Sequence, residues 1–146
     1  LPPKFNCYFY KIAGVKFNIS NVWIGNKCYF DTQFPENIFI KDNVCISFGV
    51  TIISHFDPSE SIKNHSIKKY SKKIIIEEGV FIGPKTIIMP GVIIRKNTFI
   101  QAGAVITKST AENSIVFGNP QKERAKLTKK MISQINNKNI KSNFYI

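Results

Sequence analysis

One apolar residue recurs at a fixed spacing through the middle of the chain. Ile76, Ile82, Ile88, Ile94, Ile100 and Ile106 stand six residues apart. Four positions after each comes a small or β-branched residue: Val80, Thr86, Val92, Thr98, Ala104 and Thr110. Turn formers fill the gaps: Gly79, Pro84, Pro90, Gly91, Asn97 and Gly103. A period of six is neither the 3.6 of a helix nor the bare alternation of a long strand, and glycine and proline at this density break helices. The pattern fits short strands, each ending in a turn, with isoleucine facing inward. Three units close one triangular coil of 18 residues, which predicts that Ile76 stacks on Ile94, Ile82 on Ile100 and Ile88 on Ile106.

The same register runs upstream. Ile40, Ile46 and Ile52 are in phase, with Val44 and Val50 at the small position, and Ile24 and Phe30 form an earlier pair followed by Cys28 and Phe34. The phase slips around Pro35-Glu36-Asn37. About eleven units, hence roughly four coils, give a prism near 19 Å tall at the spacing of parallel strands. From 53 to 75 the repeat is lost in a polar, basic stretch, which reads as an extruded loop of functional use. The expected organisation is one domain: an N-terminal cap over 1–18, with the aromatic run Phe5–Tyr10 packed on the first coil; a β-helix over 19–111; and a C-terminal segment over 112–146. In that last part Asn119-Pro120 reads as a helix start, and Leu127, Met131, Ile132 and Ile135 recur at helical spacing.

The outward positions Phe81, Ile87, Ile93, Phe99 and Val105 are apolar, and Phe81 and Phe99 lie one coil apart. Exposed apolar faces of this kind point to contact between subunits.

Composition changes the picture in three ways. With 146 residues, 43% hydrophobic and 21% charged, the chain has enough apolar material for a packed core. No apolar run approaches the roughly 20 residues of a membrane-spanning helix. The first residue is leucine, which leaves open an upstream segment with an anchor or signal. Twenty-one basic residues against nine acidic ones give a net charge of +12, which suits an anionic partner: a nucleic acid, a membrane surface or a phosphate-rich cofactor. Half of that excess lies in 121–146, and no nucleic-acid-binding motif accompanies it. Cys7, Cys28 and Cys45 are odd in number and scattered, as reduced thiols of a cytoplasmic protein are, and form no pair of metal-ligand spacing.

Several segments resemble the hexapeptide-repeat acyltransferases, and among them the galactoside, maltose and capsule-sugar O-acetyltransferases. These are Val50-Thr-Ile-Ile-Ser-His55, Gly79-Val-Phe-Ile-Gly83, Gln101-Ala-Gly-Ala-Val-Ile-Thr-Lys108 and Gly118-Asn-Pro-Gln-Lys122. Ile82-Gly83-Pro84-Lys85-Thr86 fits the family's hexapeptide fully; Ile94-Arg95-Lys96-Asn97-Thr98 lacks its glycine. The resemblance implies an all-β fold, a left-handed parallel β-helix, completed by the extruded loop and a short C-terminal helix. It implies a cytoplasmic homotrimer that transfers an acetyl group from acetyl-CoA to a hydroxyl of a sugar or glycan precursor, and no nucleic-acid partner. His55 is then the general base and Asp31, in Tyr29-Phe30-Asp31, its partner or a contact to the acceptor. Gly83, Ala102 and Gly103 match turns along which the cofactor's arm runs, and Lys108, Lys122 and Arg124 match or neighbour cations near its phosphates.

The chemistry supports these assignments. Acyl transfer from a thioester to a hydroxyl needs a base on the hydroxyl and donors for the oxyanion. Only two histidines are present. His55 falls where the coil gives way to the loop, whereas His65 sits inside the loop without pattern. Asp57, before Pro58, reads as a turn residue. No cysteine stands at a nucleophile position, so direct transfer is expected. Alternatives are N-acetylation of an amino sugar or other amine, and a non-enzymatic β-helical scaffold. A zinc-dependent hexapeptide enzyme needs three histidines at the metal, which two histidines ten residues apart do not supply.

Overall fold

The computed structural model describes residues 3–126, with side chains at its ends given for 5–123. A helix, α1 (Pro3–Ile12), leads into β1 (Val22–Ile24), β2 (Tyr29–Phe30), β3 (Ile38–Ile40), β4 (Val44–Ile46) and β5 (Thr51–Ile52). The loop follows, carrying β6 (His55–Phe56), α2 (Glu60–Lys63) and β7 (Tyr70–Ser71). The repeat then resumes with β8 (Ile74–Ile76), β9 (Phe81–Ile82), β10 (Ile87–Ile88), β11 (Ile93–Ile94), β12 (Phe99–Ile100), β13 (Val105–Ile106) and β14 (Ser114–Phe117), and ends in β15 (Lys122–Lys126).

These strands stack as three parallel sheets, the faces of a β-helix. The first face is β1-β4-β9-β12-β14, the second β2-β5-β10-β13 and the third β3-β8-β11. Ile76 pairs with Ile94, Ile82 with Ile100 and Ile88 with Ile106, as the period of six predicts. All three pairs are fully buried, together with Ile24, Ile38, Ile46, Ile52 and Ile74. Burying each such side chain contributes about 1.5–3 kcal/mol.

The small positions line the prism's inner corners. Buried threonines fit there because their hydroxyls bond to backbone carbonyls of the same turn: Thr86 to Gly83 at 2.8 Å and Thr98 to Arg95 at 2.7 Å. At an outer corner, a Cβ on Gly79 would sit 2.4 Å from the Asn97 side chain one coil on, so the glycine makes room for a stacked asparagine.

Three sequence expectations need correction. The loop ends before Ile74, not after Ile75: Ile74 is an inward residue of β8, paired with Ile38. The aromatic run of α1 does not pack as a block. Cys7 and Tyr10 turn inward, while Phe5, Tyr8 and Phe9 are exposed, because one helix face alone meets the first coil. The segment after Asn119-Pro120 does not open a helix. Its Asn-Pro peptide is cis, and residues 122–126 return as β15, antiparallel to β14. The backbone groups at the open edge of β14 are satisfied by this pairing. The helical spacing of Leu127, Met131, Ile132 and Ile135 lies outside the described residues.

Candidate active site

Asp31 and His55 stand on one edge of the prism, where the chain turns from the second face to the third. β2 pairs with β5, so the residue following β2 lies one coil below the start of the loop, and the Asp31 N–H donates to the Ile52 carbonyl at 2.9 Å. The imidazole Nδ1 of His55 lies 2.5 Å from Oδ2 of Asp31. Asp31 is only 1% exposed and His55 20% exposed. The sequence placed both residues here; the structure brings them into contact.

The carboxylate is saturated with donors. Oδ2 also accepts from the Ser54 N–H at 2.9 Å and its hydroxyl at 2.8 Å, and Oδ1 accepts from the N–H groups of Gln33 and Phe34 at 2.9 and 3.3 Å. Burial by itself pushes the Asp31 carboxyl up. The bonds from His55, Ser54 and Gln33 outweigh that and hold it down at about 2. An ionised, fully buried carboxylate therefore faces Nδ1, which fixes that nitrogen as the N–H donor and leaves Nε2 with a free lone pair. The ring is further fixed by Phe34, whose centroid lies 5.6 Å away.

Ser54 and Phe34 are the site residues that sequence reasoning missed. The available signal was alternation: Ile52 points in and residue 53 out, so Ser54 is a polar residue at an inward position beside the only histidine at a coil end. His65 bonds to the Ser61 carbonyl at the exposed end of α2, and Asp57 pairs with Lys63 and Lys69 within the loop. Neither belongs to the Asp31–His55 pair.

Gly83, Ala102 and Gly103 sit on a different edge, between the first and second faces. They adjoin a groove of about 340 Å³ lined by Phe81, Gly83, Pro84, Phe99, Gln101 and Ala102. The Phe81 and Phe99 rings stack there at 4.8 Å and 11°. Gly83 is buried: a Cβ on it would lie 2.6 Å from the Ala102 nitrogen and 2.7 Å from the Ile100 carbonyl, so its first role is to let coils stack. Gly103 adopts φ +72°, open to glycine without strain, and Ala102 is exposed, its N–H without a partner among the described residues. Lys108 returns to the edge that carries His55. Its turn is held by the Gln121 side chain, which accepts from the N–H groups of Thr107 and Lys108 at 3.0 and 3.1 Å and leads directly into Lys122. Lys108 and Lys122 are both exposed. The Arg124 side chain lies outside the described residues. Within one chain the histidine edge and the glycine edge are separate.

No helix among the described residues is long and apolar enough to cross a membrane.

Residues 73–108 match the family described as Bacterial transferase hexapeptide (six repeats). No curated protein matches the chain by sequence. Among solved structures, the chain is similar to a maltose O-acetyltransferase from Clostridium difficile at 26% identity and a TM-score of 0.56, covering 79% of this chain and 64% of that one. It is similar to a galactoside acetyltransferase in complex with coenzyme A at 28% identity and a TM-score of 0.61, covering 80% and 60%. It shares its fold with an N-acyltransferase from Bacillus cereus, in complex with dTDP-4-amino-4,6-dideoxyglucose and coenzyme A, at 18% identity and a TM-score of 0.62, covering 79% and 65%. The chain thus spans 60–65% of the length of these structures.

Proposed function

We propose that this chain, which carries the hexapeptide repeat of the bacterial transferases, is an acetyl-CoA-dependent O-acetyltransferase of sugars or glycan precursors, working in the cytoplasm. The observation that carries this reading is the Asp31–His55 pair: a saturated, ionised carboxylate holds an imidazole with its Nε2 free at the mouth of the loop. His55 takes the proton of the acceptor hydroxyl through Nε2 while Asp31 stabilises the imidazolium that forms. When bound, acetyl-CoA supplies the activated acetyl group as a thioester. The oxygen of the acceptor bonds to the acetyl carbon, the carbon–sulfur bond breaks, and His55 returns its proton to the departing thiolate. No acyl-enzyme is needed.

The residues present fit such a cofactor. The exposed Ala102 N–H offers a donor to an amide-bearing arm, the glycine turn at Gly103 permits close approach, and Lys108 and Lys122 supply cations for phosphates.

The stacked sheets are read as a left-handed β-helix of about four coils. Because the histidine edge and the glycine edge are separate, the site is completed when a second copy sets its His55 edge beside the Phe81/Phe99 groove of the first. Repeated around an axis, this makes a homotrimer. The half-buried Ile87, Ile93 and Val105 supply further apolar contact.

Thiol release from acetyl-CoA, measured against a panel of sugars, nucleotide sugars and amines, tests the activity. Release with a hydroxyl-only sugar supports O-acetylation; release with amines alone overturns it in favour of N-acetylation. Light scattering should give three times 16.6 kDa, and a clean monomer would remove the shared site.

A further inference from the structure

The four most exposed large hydrophobic side chains among the described residues share one helix. They are Phe5 at 55%, Tyr8 at 56%, Phe9 at 63% and Ile12 at 86%. Their spacing of three, four and seven places them on a single face of α1. The opposite face is anchored across the base of the prism. The Tyr10 ring stacks on Phe30 at 4.1 Å and its hydroxyl donates to the Cys28 carbonyl at 2.5 Å. The Cys7 thiol lies 3.4 Å from the Val22 carbonyl and the Asn6 amide 3.2 Å from that of Ile24. The helix is therefore fixed with its aromatic stripe turned outward.

Charge selects what covers it. Residues 1–30 contain four lysines, Lys4, Lys11, Lys16 and Lys27, and no acidic residue. Lys11, Lys16 and Lys27 are exposed. Lys16 lines a side groove with Asp42 and Glu78, but a second copy docked on α1 would bring Lys11 and Lys27 towards their own images, which is unfavourable. An anionic surface that also accepts apolar side chains meets both requirements. Aromatic and aliphatic side chains on one face with lysines beside them are the composition of helices that lie in a membrane interface.

We propose that α1 docks this protein on an anionic lipid bilayer, with Phe5, Tyr8, Phe9 and Ile12 entering the interfacial layer and the exposed Lys11 and Lys27 facing the lipid phosphates. The proposal is independent of the acetyl-transfer reading. It also gives part of the +12 charge a partner that the candidate active site does not use.

The test is flotation of the full chain with vesicles of phosphatidylcholine alone or with about 30% phosphatidylglycerol. The protein should float with the anionic vesicles, at least about tenfold more tightly than with the neutral ones, and rising salt should release it. The variant Phe5→Ser/Phe9→Ser/Ile12→Ser changes only exposed side chains and keeps every lysine. It should lose at least about tenfold in binding. If it floats like the parent, binding is carried by charge alone, through the C-terminal tail among others, and the proposal fails. A protein that stays at the bottom with anionic vesicles overturns it outright. A Trp23→Phe/Phe9→Trp variant, with its single tryptophan on the stripe, should shift its emission to the blue on adding anionic vesicles; an unchanged spectrum overturns the proposal. An assembly whose mass the triple variant halves would assign the stripe to a second copy instead.

Discussion

Ser54 gives both its backbone N–H and its hydroxyl to a single oxygen of Asp31, at 2.9 and 2.8 Å. That oxygen is the one that meets the His55 imidazole. The hydroxyl also reaches the Phe34 carbonyl at 3.2 Å. A fully buried serine thus ties the coil below to the shoulder of the loop and sets where the carboxylate points.

Replacing it tests that role. Ser54→Ala removes one charge-assisted bond, worth about 1.5–3 kcal/mol, from the carboxylate while leaving its N–H in place. The turnover number should fall by about tenfold or more, the KM for acetyl-CoA should stay near the parent value, and Ser54→Thr should restore part of the loss. An equal loss in the alanine and threonine variants, or a change confined to KM, would show that Ser54 only fills space.

For His55 the expectation is larger. His55→Ala should lower turnover by about 10²–10⁴-fold, with coenzyme A affinity and oligomeric state unchanged. His65→Ala should have little effect, since that ring is exposed and, among the described residues, bonded only to the Ser61 carbonyl. Steady-state kinetics with a good acceptor decide the matter. Substantial activity in His55→Ala would move the base elsewhere.

Much of this was legible in the chain because the isoleucine ladder repeats a single packing requirement. Each inward position meets the same position one coil away, so Ile82 and Ile100 could be paired from spacing alone. The placing of Asp31 below His55 was legible because the inward register survives the slip at Pro35-Glu36-Asn37, which lengthens that coil to 22 residues and still stacks Phe30 of β2 under Ile52 of β5. Elsewhere local chemistry was ambiguous. Asn-Pro suits a helix start and a tight turn equally, and only the unpaired edge of β14 decides for β15. In α1 the aromatic run carries no label for inside and outside; the helix period puts Tyr10 on Phe30 and turns Phe9 away. Alternation marks Ser54 as an inward polar residue, but its value lies in a carboxylate 23 residues earlier, which alternation does not reveal.

The depressed Asp31 carboxyl makes a prediction about acid stability. A group held lower in the folded chain than in the unfolded one stabilises the fold above its unfolded value, and the contribution is lost as pH falls through its folded value. For Asp31, at about 2 in the fold against the ordinary 3.8, the stabilisation is of order 2 kcal/mol at neutral pH. It should drain away between about pH 4 and 2. Urea unfolding of the parent and of Asp31→Asn across that range reads it directly. The difference between the two proteins should shrink as the pH drops; a difference that is constant with pH would show that the carboxylate's charge contributes nothing.

The last prediction separates scaffold from site at Gly83. Its missing Cβ is occupied by the next coil, with the Ala102 nitrogen at 2.6 Å and the Gln101 carbonyl carbon at 2.8 Å from where the atom would stand. These are backbone atoms, so an added methyl cannot be met by rotating a side chain; the two coils must part. Overpacking of this kind costs about 1–3 kcal/mol. Gly83→Ala should therefore lower the thermal midpoint even without any cofactor. Ala102→Ser, on the exposed turn above it, should leave the midpoint unchanged, whatever it does to coenzyme A binding. Thermal scans of the free protein distinguish the two roles. A Gly83→Ala chain as stable as the parent, with weaker coenzyme A binding, would assign the glycine to the cofactor rather than to the stacking of coils.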